Sequence, residues 1–310
     1  LNSKTLAEKL YGELPSGLAG TPYPYQLSGY RWLAYMRKNG LGCIIADEMG
    51  LGKTFQAICL LLDAKNEGRC PCLIIAPATL LENWRRELQR FAPGLSVLKH
   101  KGKHRTGFIG ELQKIDVILC SYETAVIDIS LLQNLAWEII IVDEAQDIKN
   151  PLAARTIKLK TLSCKCAIAM TGTPVENRLT ELWSITDFAF PSLLGNQSDF
   201  ECRHPNSLYG ASTLEPILSP IILRRRVGDI AKDLPERIII PQPLELDSDS
   251  AEVYEALRLA GADSEPKTLA SLIRLRMYCV HPWLVNQFTH IDTAEQCWQG
   301  AAGRFEIPPG

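Results

Sequence analysis

Between residues 42 and 170 the chain alternates short apolar runs with longer stretches of helical spacing. The runs are Cys43–Ala46, Leu73–Ala76, Val117–Cys120, Trp137–Val142 and Ala167–Met170. Several are bare apolar stretches without in/out alternation, as expected of strands covered on both faces. Between them, Thr54–Asn66 and Leu80–Phe91 have the spacing and composition of helices. Strands alternating with helices predict an α/β fold, a parallel sheet with helices on both faces in three layers. Right-handed crossovers then leave the ligand loops at the carboxyl ends of the strands.

After about residue 186 the pattern changes. Pro191–Pro220 carries few strand signals and reads as a helical or loop insertion over about 188–220. A β-like run follows at Ile238–Leu246, then two predicted helices, Ala251–Leu259 and Leu269–Cys279. Asp249, with Glu252 three residues on, reads as the cap of the first. The tail ends in Pro308-Pro309-Gly310 and reads as loop. The expected organisation is a lead-in over 1–20, one large lobe over 21–240, and a smaller, mostly helical extension over 241–310.

Composition narrows the class only a little. With 310 residues, 46% hydrophobic and 22% charged, the chain has the make-up of a globular protein. No apolar run approaches the roughly 18 residues of a membrane span. It begins at Leu1 without a signal pattern, which reads as a trimmed start. A net charge of −2 argues against a wholesale polyanion binder but leaves room for a local basic track. Ten cysteines lie scattered, several in apolar segments (Cys43, Cys59, Cys120, Cys279). The closer pairs, Cys70/Cys72 and Cys164/Cys166, have the wrong spacing for zinc, so buried reduced thiols and an intracellular protein are expected.

The strongest local signal is Asp47-Glu48-Met49-Gly50-Leu51-Gly52-Lys53-Thr54, directly after a predicted strand and opening a helix. Gly50 and Gly52 let the backbone turn so that its N–H groups and the helix N-terminus cradle phosphate. Lys53 would reach the β- and γ-phosphates of a nucleoside triphosphate, and the Thr54 hydroxyl would hold Mg²⁺. The general pattern asks for glycine where Asp47 stands. On its own, the octapeptide leaves open a turn that merely precedes Lys-Thr.

About ninety residues on, the apolar run Ile139–Val142 ends in Asp143-Glu144-Ala145-Gln146. Two acids at a strand end fit a Mg²⁺ partner, Asp143, and a base for the attacking water, Glu144, with Gln146 beside them among the catalytic residues. A solvated acidic loop is the alternative. Both sites in this order at strand ends indicate a nucleoside triphosphatase.

Here the sequence resembles a known family over about residues 22 to 285: the Swi/Snf-type DNA translocases of helicase superfamily two. Asp47–Thr54 is similar to that family's form of the phosphate loop, and Asp143–Gln146 to its acidic motif. Pro24-Tyr25-Gln26-Leu27, with Gly29 and Trp32, resembles the adenine segment, where Gln26 carries donor and acceptor together. Tyr23 replaces the arginine often found before that proline. Pro77-Ala78-Thr79-Leu80, followed by Asn83-Trp84 and Glu87, resembles the first DNA-contacting motif, and Ser121-Tyr122-Glu123-Thr124 the next. Thr171-Gly172-Thr173-Pro174, with Glu176-Asn177, resembles the segment linking ATP state to DNA grip. Leu223-Arg224-Arg225, Leu234-Pro235 and Leu275-Arg276 with Cys279 and His281-Pro282 resemble later blocks, although Val227 stands where a lysine is usual.

The resemblance implies a RecA-like lobe that binds ATP and Mg²⁺ through Gln26, residues Glu48 to Thr54, and Asp143. Thr79, Ser121, Tyr122, Thr171, Thr173, Arg224 and Arg225 would contact double-stranded DNA through its phosphates or couple that contact to ATP. It implies a second RecA-like lobe that this chain lacks, and so little hydrolysis by the chain alone. Bland alternatives stay open: Thr79 and Ser121 as helix caps, Arg224–Arg226 as a solvated charge run, His281 as a packed histidine. Lys99, Lys101, Lys103 and Arg105, interleaved with His100 and His104, read first as an exposed loop and second as a DNA contact. A monomer without membrane contact is expected. The lack of a dense Lys/Arg run favours the bacterial cytoplasm over the nucleus. A strand-separating helicase, a nucleotide-gated binding module and, more distantly, a small-molecule phosphate-loop kinase are the competing functions.

Overall fold

The computed structural model describes residues 13–102, 105–175, 177–230, 246, 248–262 and 268–280. The chain divides into two compact units, 1–235 and 236–310. Lys103, His104, Glu176, Leu234-Pro235, most of the Ile238–Leu246 run, His281-Pro282 and both chain ends lie outside the described residues.

The first unit is built on a seven-stranded sheet. In chain order the strands are β1 (Cys43–Ile45), β2 (Cys72–Ala76), β3 (Val97–Lys99), β4 (Val117–Ser121), β5 (Trp137–Asp143), β6 (Cys164–Met170) and β7 (Ile222–Leu223). Their spatial order is β3-β4-β2-β5-β6-β1-β7, with every pairing parallel. Every residue of β1, β2 and β4 is buried, so the bare apolar runs mark strands covered on both faces.

The chain steps one way along the sheet from β1 to β3, then the other way from β3 to β7. With right-handed crossovers, that reversal puts the early and late helices on opposite faces. The contacts agree: α1 (Pro24–Lys38), α2 (Lys53–Asn66) and α3 (Leu81–Phe91) pack in sequence, α1 on α2 and α2 on α3. The late group includes α4 (Ile109–Leu112), α5 (Tyr122–Ile127), α6 (Ile129–Leu132), α7 (Ala154–Leu159) and α8 (Leu179–Ala189). Within it, α5 packs on α6 and α7.

The stretch 191–220 holds two helices, α9 (Gln197–Arg203) and α10 (Leu208–Leu218). Asn196 and Ser207 cap them by accepting the amides of Asp199 and Gly210. Pro216 inside α10 obscures that helix in the sequence. A short α11 (Val227–Ile230) follows β7.

In the second unit, α12 (Ser248–Ala262) packs on α13 (Thr268–Val280), and the Tyr278 hydroxyl donates to Ser250 O at 3.1 Å. Asp249 lies in the first turn of α12 rather than at its cap, because the helix already starts at Ser248. Cys43, Cys59, Cys72, Cys120 and Cys166 are buried free thiols; Cys202 and Cys279 are exposed, against expectation for Cys279, which the outer face of α13 presents to solvent. Among the described residues no helix is long and apolar enough to cross a membrane.

Candidate functional site

Register fixes the site. Ile45 of β1 and Asp143 of β5 both pair with Met170 of β6, so three neighbouring strands end at one level. At about 4.8 Å between strands, the loops leaving β1 and β5 stand roughly 10 Å apart. The loop leaving β6 runs between them. All are at the carboxyl edge, where the alternating fold places ligand loops.

The loop after β1 has the conformation its glycines allow. Gly50 and Gly52 have φ of 89° and 71°, a region side chains rarely enter. A Cβ on Gly52 would also lie 2.4 Å from Gln26 Nε2. Gln26 is buried against this loop: its Oε1 accepts the Tyr23 amide at 3.0 Å and its Nε2 donates to Leu51 O at 3.4 Å. The start of α1 and the glycine loop after β1 are thus joined directly. Lys53 donates to the carbonyls of Asp47 and Glu48 at 2.7 and 3.4 Å. Burial lowers its pKa, against the pull of Asp47, Glu144 and Asp143.

Asp47, the residue that breaks the general phosphate-loop pattern, is fully buried and carries an ion pair. Arg225 donates to both its carboxylate oxygens, through Nε at 3.0 Å and through Nη2. The same guanidinium donates to Gln56 Oε1 at 2.7 Å and to the Tyr25 carbonyl. The loop is clamped a second time where Glu48 N donates to Arg225 O at 2.9 Å and Glu48 Oε2 accepts the Val227 amide at 2.7 Å. Arg225 is therefore not part of a solvated run, since most of its donors are engaged inside the lobe, and it also lines a cavity beside Lys53. Arg224 and Arg226 on either side are exposed.

Asp143, at the end of β5, is buried, and burial raises its pKa despite the hydrogen bond from Trp84. Trp84 Nε1 donates to Oδ2 at 2.8 Å, the Glu144 amide to Oδ1 at 3.0 Å, and the Tyr122 hydroxyl to the Asp143 carbonyl at 2.7 Å. Glu144 sits at φ 52°, ψ 56°, an uncommon conformation for a side-chain-bearing residue. From there a chain of hydrogen bonds crosses to β6: Gln146 Nε2 donates to Glu144 Oε2 at 2.7 Å, and Thr171 Oγ1 donates to Gln146 Oε1 at 2.9 Å. The Thr173 amide in turn donates to Thr171 Oγ1 at 3.1 Å.

Lys53, Glu144, Gln146, Thr173 and Arg224 line one cavity of about 690 Å³. A second, of about 510 Å³, is lined by Tyr23, Gln26, Gly50, Gly52, Thr54 and Phe91, among others. The phosphate loop contributes to both. Met49 is 77% exposed at its tip, whereas Leu51 is buried. The donor set suits a magnesium–triphosphate: a glycine-built turn, one lysine, and hard oxygen donors on Thr54 and Asp143. Among the described residues no three His, Cys, Asp or Glu side chains cluster as a metal site. Mg²⁺ held by one or two protein oxygens and the phosphates needs none.

The expected DNA-facing residues divide. Thr79 is exposed on the turn after β2 and does not cap α3, whose cap residue is Leu80. Ser121 is buried and does cap α5, accepting the Thr124 amide at 3.2 Å. Tyr122 is wholly buried with its hydroxyl on the strand end, so it supports Asp143 and does not face a DNA strand. Thr171 is buried and Thr173 exposed. The basic stretch is not simply a loop: Lys99 ends β3 and pairs with Glu82 at 3.0 Å. His100 is fully buried on Asp128, which also accepts from Arg105. Sequence reasoning missed Gln56 and the inward roles of Trp84 and Tyr122. A glutamine inside the apolar stretch of α2 was the available signal for the first.

These features define a RecA-like lobe with a nucleotide-type loop at its carboxyl edge. A family model described as "SNF2-related domain" matches residues 25–284, and the chain belongs to that family. It is 39% identical to the putative ATP-dependent helicase/translocase YwqA of Bacillus subtilis, over 86% of this chain and 31% of that protein. It is 34% identical to the chromatin-remodeling ATPase INO80 of Cryptococcus neoformans, over 83% of this chain and 17% of that protein. The solved SWI2/SNF2 ATPase core of Sulfolobus solfataricus in complex with dsDNA superposes with a TM-score of 0.67 at 35% identity. That match covers 88% of this chain and 61% of the solved one. The chain spans about a third or less of the curated relatives' length.

Proposed function

We propose that the chain is the ATP-binding lobe of a DNA-dependent ATPase that moves along double-stranded DNA. The observation that carries this reading is the convergence of Lys53, Glu144 and Gln146 on one cavity, with Asp143 in register behind them. The family and the names of its members favour an ATP-driven motor over a phosphate-loop kinase.

In this reading Gln26 and the cavity beside Tyr23 take the adenine, and the amides of the Glu48–Gly52 turn and the Lys53 ammonium take the phosphates. Thr54 and Asp143 hold Mg²⁺, which when bound neutralises charge on the phosphate oxygens. Glu144, with one oxygen engaged by Gln146, accepts the proton of water as it adds to the γ-phosphorus and the bond to ADP breaks. The exposed Thr79 and Thr173 face duplex phosphates. The protein outside this chain supplies a second lobe that closes the 690 Å³ cleft. An arginine contributed from there is worth about 10³–10⁵ in rate, so the chain alone should bind ATP and scarcely hydrolyse it.

Nucleotide binding and DNA-stimulated phosphate release by the full-length protein test the assignment. Glu144→Gln should keep wild-type ATP affinity and lose about 10²–10⁴ in turnover. Lys53→Ala should lose binding as well, by about 10–100-fold, as expected for a charge-assisted contact. Equal loss of affinity in both variants would contradict these roles. DNA affinity should fall steeply with salt, and a forked duplex should be travelled without being opened.

A further inference from the structure

Trp84 and Tyr122 are among the largest fully buried side chains of the lobe, and each ends in a polar group that needs a partner there. Both find the same residue. The indole of Trp84, on α3, donates to the Asp143 carboxylate at 2.8 Å. The phenol of Tyr122, on α5, donates to the Asp143 carbonyl at 2.7 Å. Asp143 is thus held by its side chain from one helix and by its backbone from another.

Packing alone does not explain the choice of residue. Phenylalanine would fill the Tyr122 space, and most of the Trp84 space, without a polar atom to satisfy, yet two core positions carry donors aimed at one acid. The donors are also neutral. An arginine in the place of Trp84 would cancel the carboxylate's charge and compete with a cation, as Arg225 does for Asp47. An indole N–H fixes the rotamer and leaves the negative charge in place. Neither aromatic lines the cavities beside the phosphate loop, so any effect on the nucleotide passes through the residues they hold, which are Asp143 for both and, by a longer contact of 3.4 Å from Tyr122, the Glu144 carbonyl.

We propose that Trp84 and Tyr122 are positioning residues for the cation bound at Asp143. Trp84 sets the carboxylate rotamer, and Tyr122 fixes the strand end that carries it. This inference rests on the assignment of Asp143 to Mg²⁺ made above, and the experiment separates the two.

The measurement is the affinity of the full-length protein for a fluorescent ATP analogue, in excess EDTA and in saturating Mg²⁺. The ratio of the two dissociation constants reports the gain due to metal. Trp84→Phe should cut that gain by about 10–100-fold, as loss of a group supporting a metal ligand does, with the EDTA affinity unchanged. Tyr122→Phe, nearly isosteric, should cut it by about two- to tenfold, the worth of one neutral hydrogen bond. Asp143→Asn is the reference and should abolish the gain.

If Asp143→Asn abolishes the gain while Trp84→Phe and Tyr122→Phe both keep it, the positioning role is overturned and the metal assignment stands. Equal losses with and without Mg²⁺ in the aromatic variants would also overturn it, by assigning the two rings to packing. A gain that is absent in the wild type, or survives Asp143→Asn, would sink the metal assignment itself.

Discussion

At the amino end of the sheet, the buried Arg37 donates to Asp63, Glu67 and Glu138 at 2.8, 2.8 and 2.9 Å. At the carboxyl end, Lys53 reaches only backbone carbonyls and Asp143 accepts only from neutral donors and a backbone amide, as far as the described residues show. The proton equilibria move in opposite directions. Burial works against the Arg37 charge, but hydrogen bonds to Glu67 and Asp63 outweigh it and raise its pKa. Glu67, likewise against the effect of its burial, is lowered by Arg37 and Lys38. Lys53 is lowered and Asp143 raised, each chiefly by burial. Opposite charges that touch complete one another and serve the fold. Opposite charges buried close together but held apart stay partly uncompensated, and an anion with its cation can complete them.

The largest test of that contrast is Arg37→Met. It removes the buried guanidinium that three carboxylates share, leaving Glu67 to Lys38 and Arg69 and Glu138 to Lys165, and should cost about 3–5 kcal/mol in denaturant unfolding with ATP affinity unchanged. A drop in nucleotide affinity at constant stability would erase the distinction between the two ends. The pH dependence follows with a definite sign. Because the folded pKa of Glu67 is depressed, its contribution is present above the ordinary carboxylate pKa of about 4.3 and lost as pH falls through the folded value. Unfolding followed from about pH 5 down to about pH 3 should therefore be less steep in Arg37→Met than in the wild type.

Asp47→Asn comes next. It weakens the buried ion pair that holds the phosphate loop, and Arg225 keeps its bonds to Gln56 and the Tyr25 carbonyl. A cost of about 1.5–3 kcal/mol is expected, the range for hydrogen bonds to charged groups. Here stability and ATP affinity should fall together, since the pair shapes the phosphate loop. Loss of stability alone would show that the loop keeps its form without Arg225.

The order of these elements was legible in the chain, and the reason is physical. Strands buried on both faces must be bare apolar runs, so β1, β2, β4, β5 and most of β6 stood out. At the sheet edges, β3 and β7 did not, because three half-buried residues ending in Lys99 and a two-residue strand carry no periodicity. Residues whose backbone makes the site, from Gly50 to Thr54, were legible for the same kind of reason: only certain residues allow that turn. Side chains that act through a distant partner were not. Arg225 and Asp47 are 178 positions apart, and nothing in either neighbourhood names the other. Trp84 and Tyr122 looked surface-facing because they sit in segments matched to DNA-contacting motifs, although their own rings are buried.

The smallest effects separate Ser121 from Thr79, two hydroxyls near the ends of neighbouring strands, Ser121 in register with Ala76 and Thr79 three residues beyond it. Ser121 accepts the Thr124 amide and caps α5, so Ser121→Ala should cost about 1 kcal/mol of stability. Thr79 is exposed and caps nothing, so Thr79→Ala should change stability by less than about 0.5 kcal/mol. If Thr79 meets a DNA phosphate, its loss should weaken duplex binding by a similar factor on every sequence, because phosphate contacts carry no base information. Filter binding on two unrelated duplexes reads this directly. A sequence-dependent loss would point to base contact. No loss would remove Thr79 from the track and leave Thr173 as the exposed hydroxyl to try next.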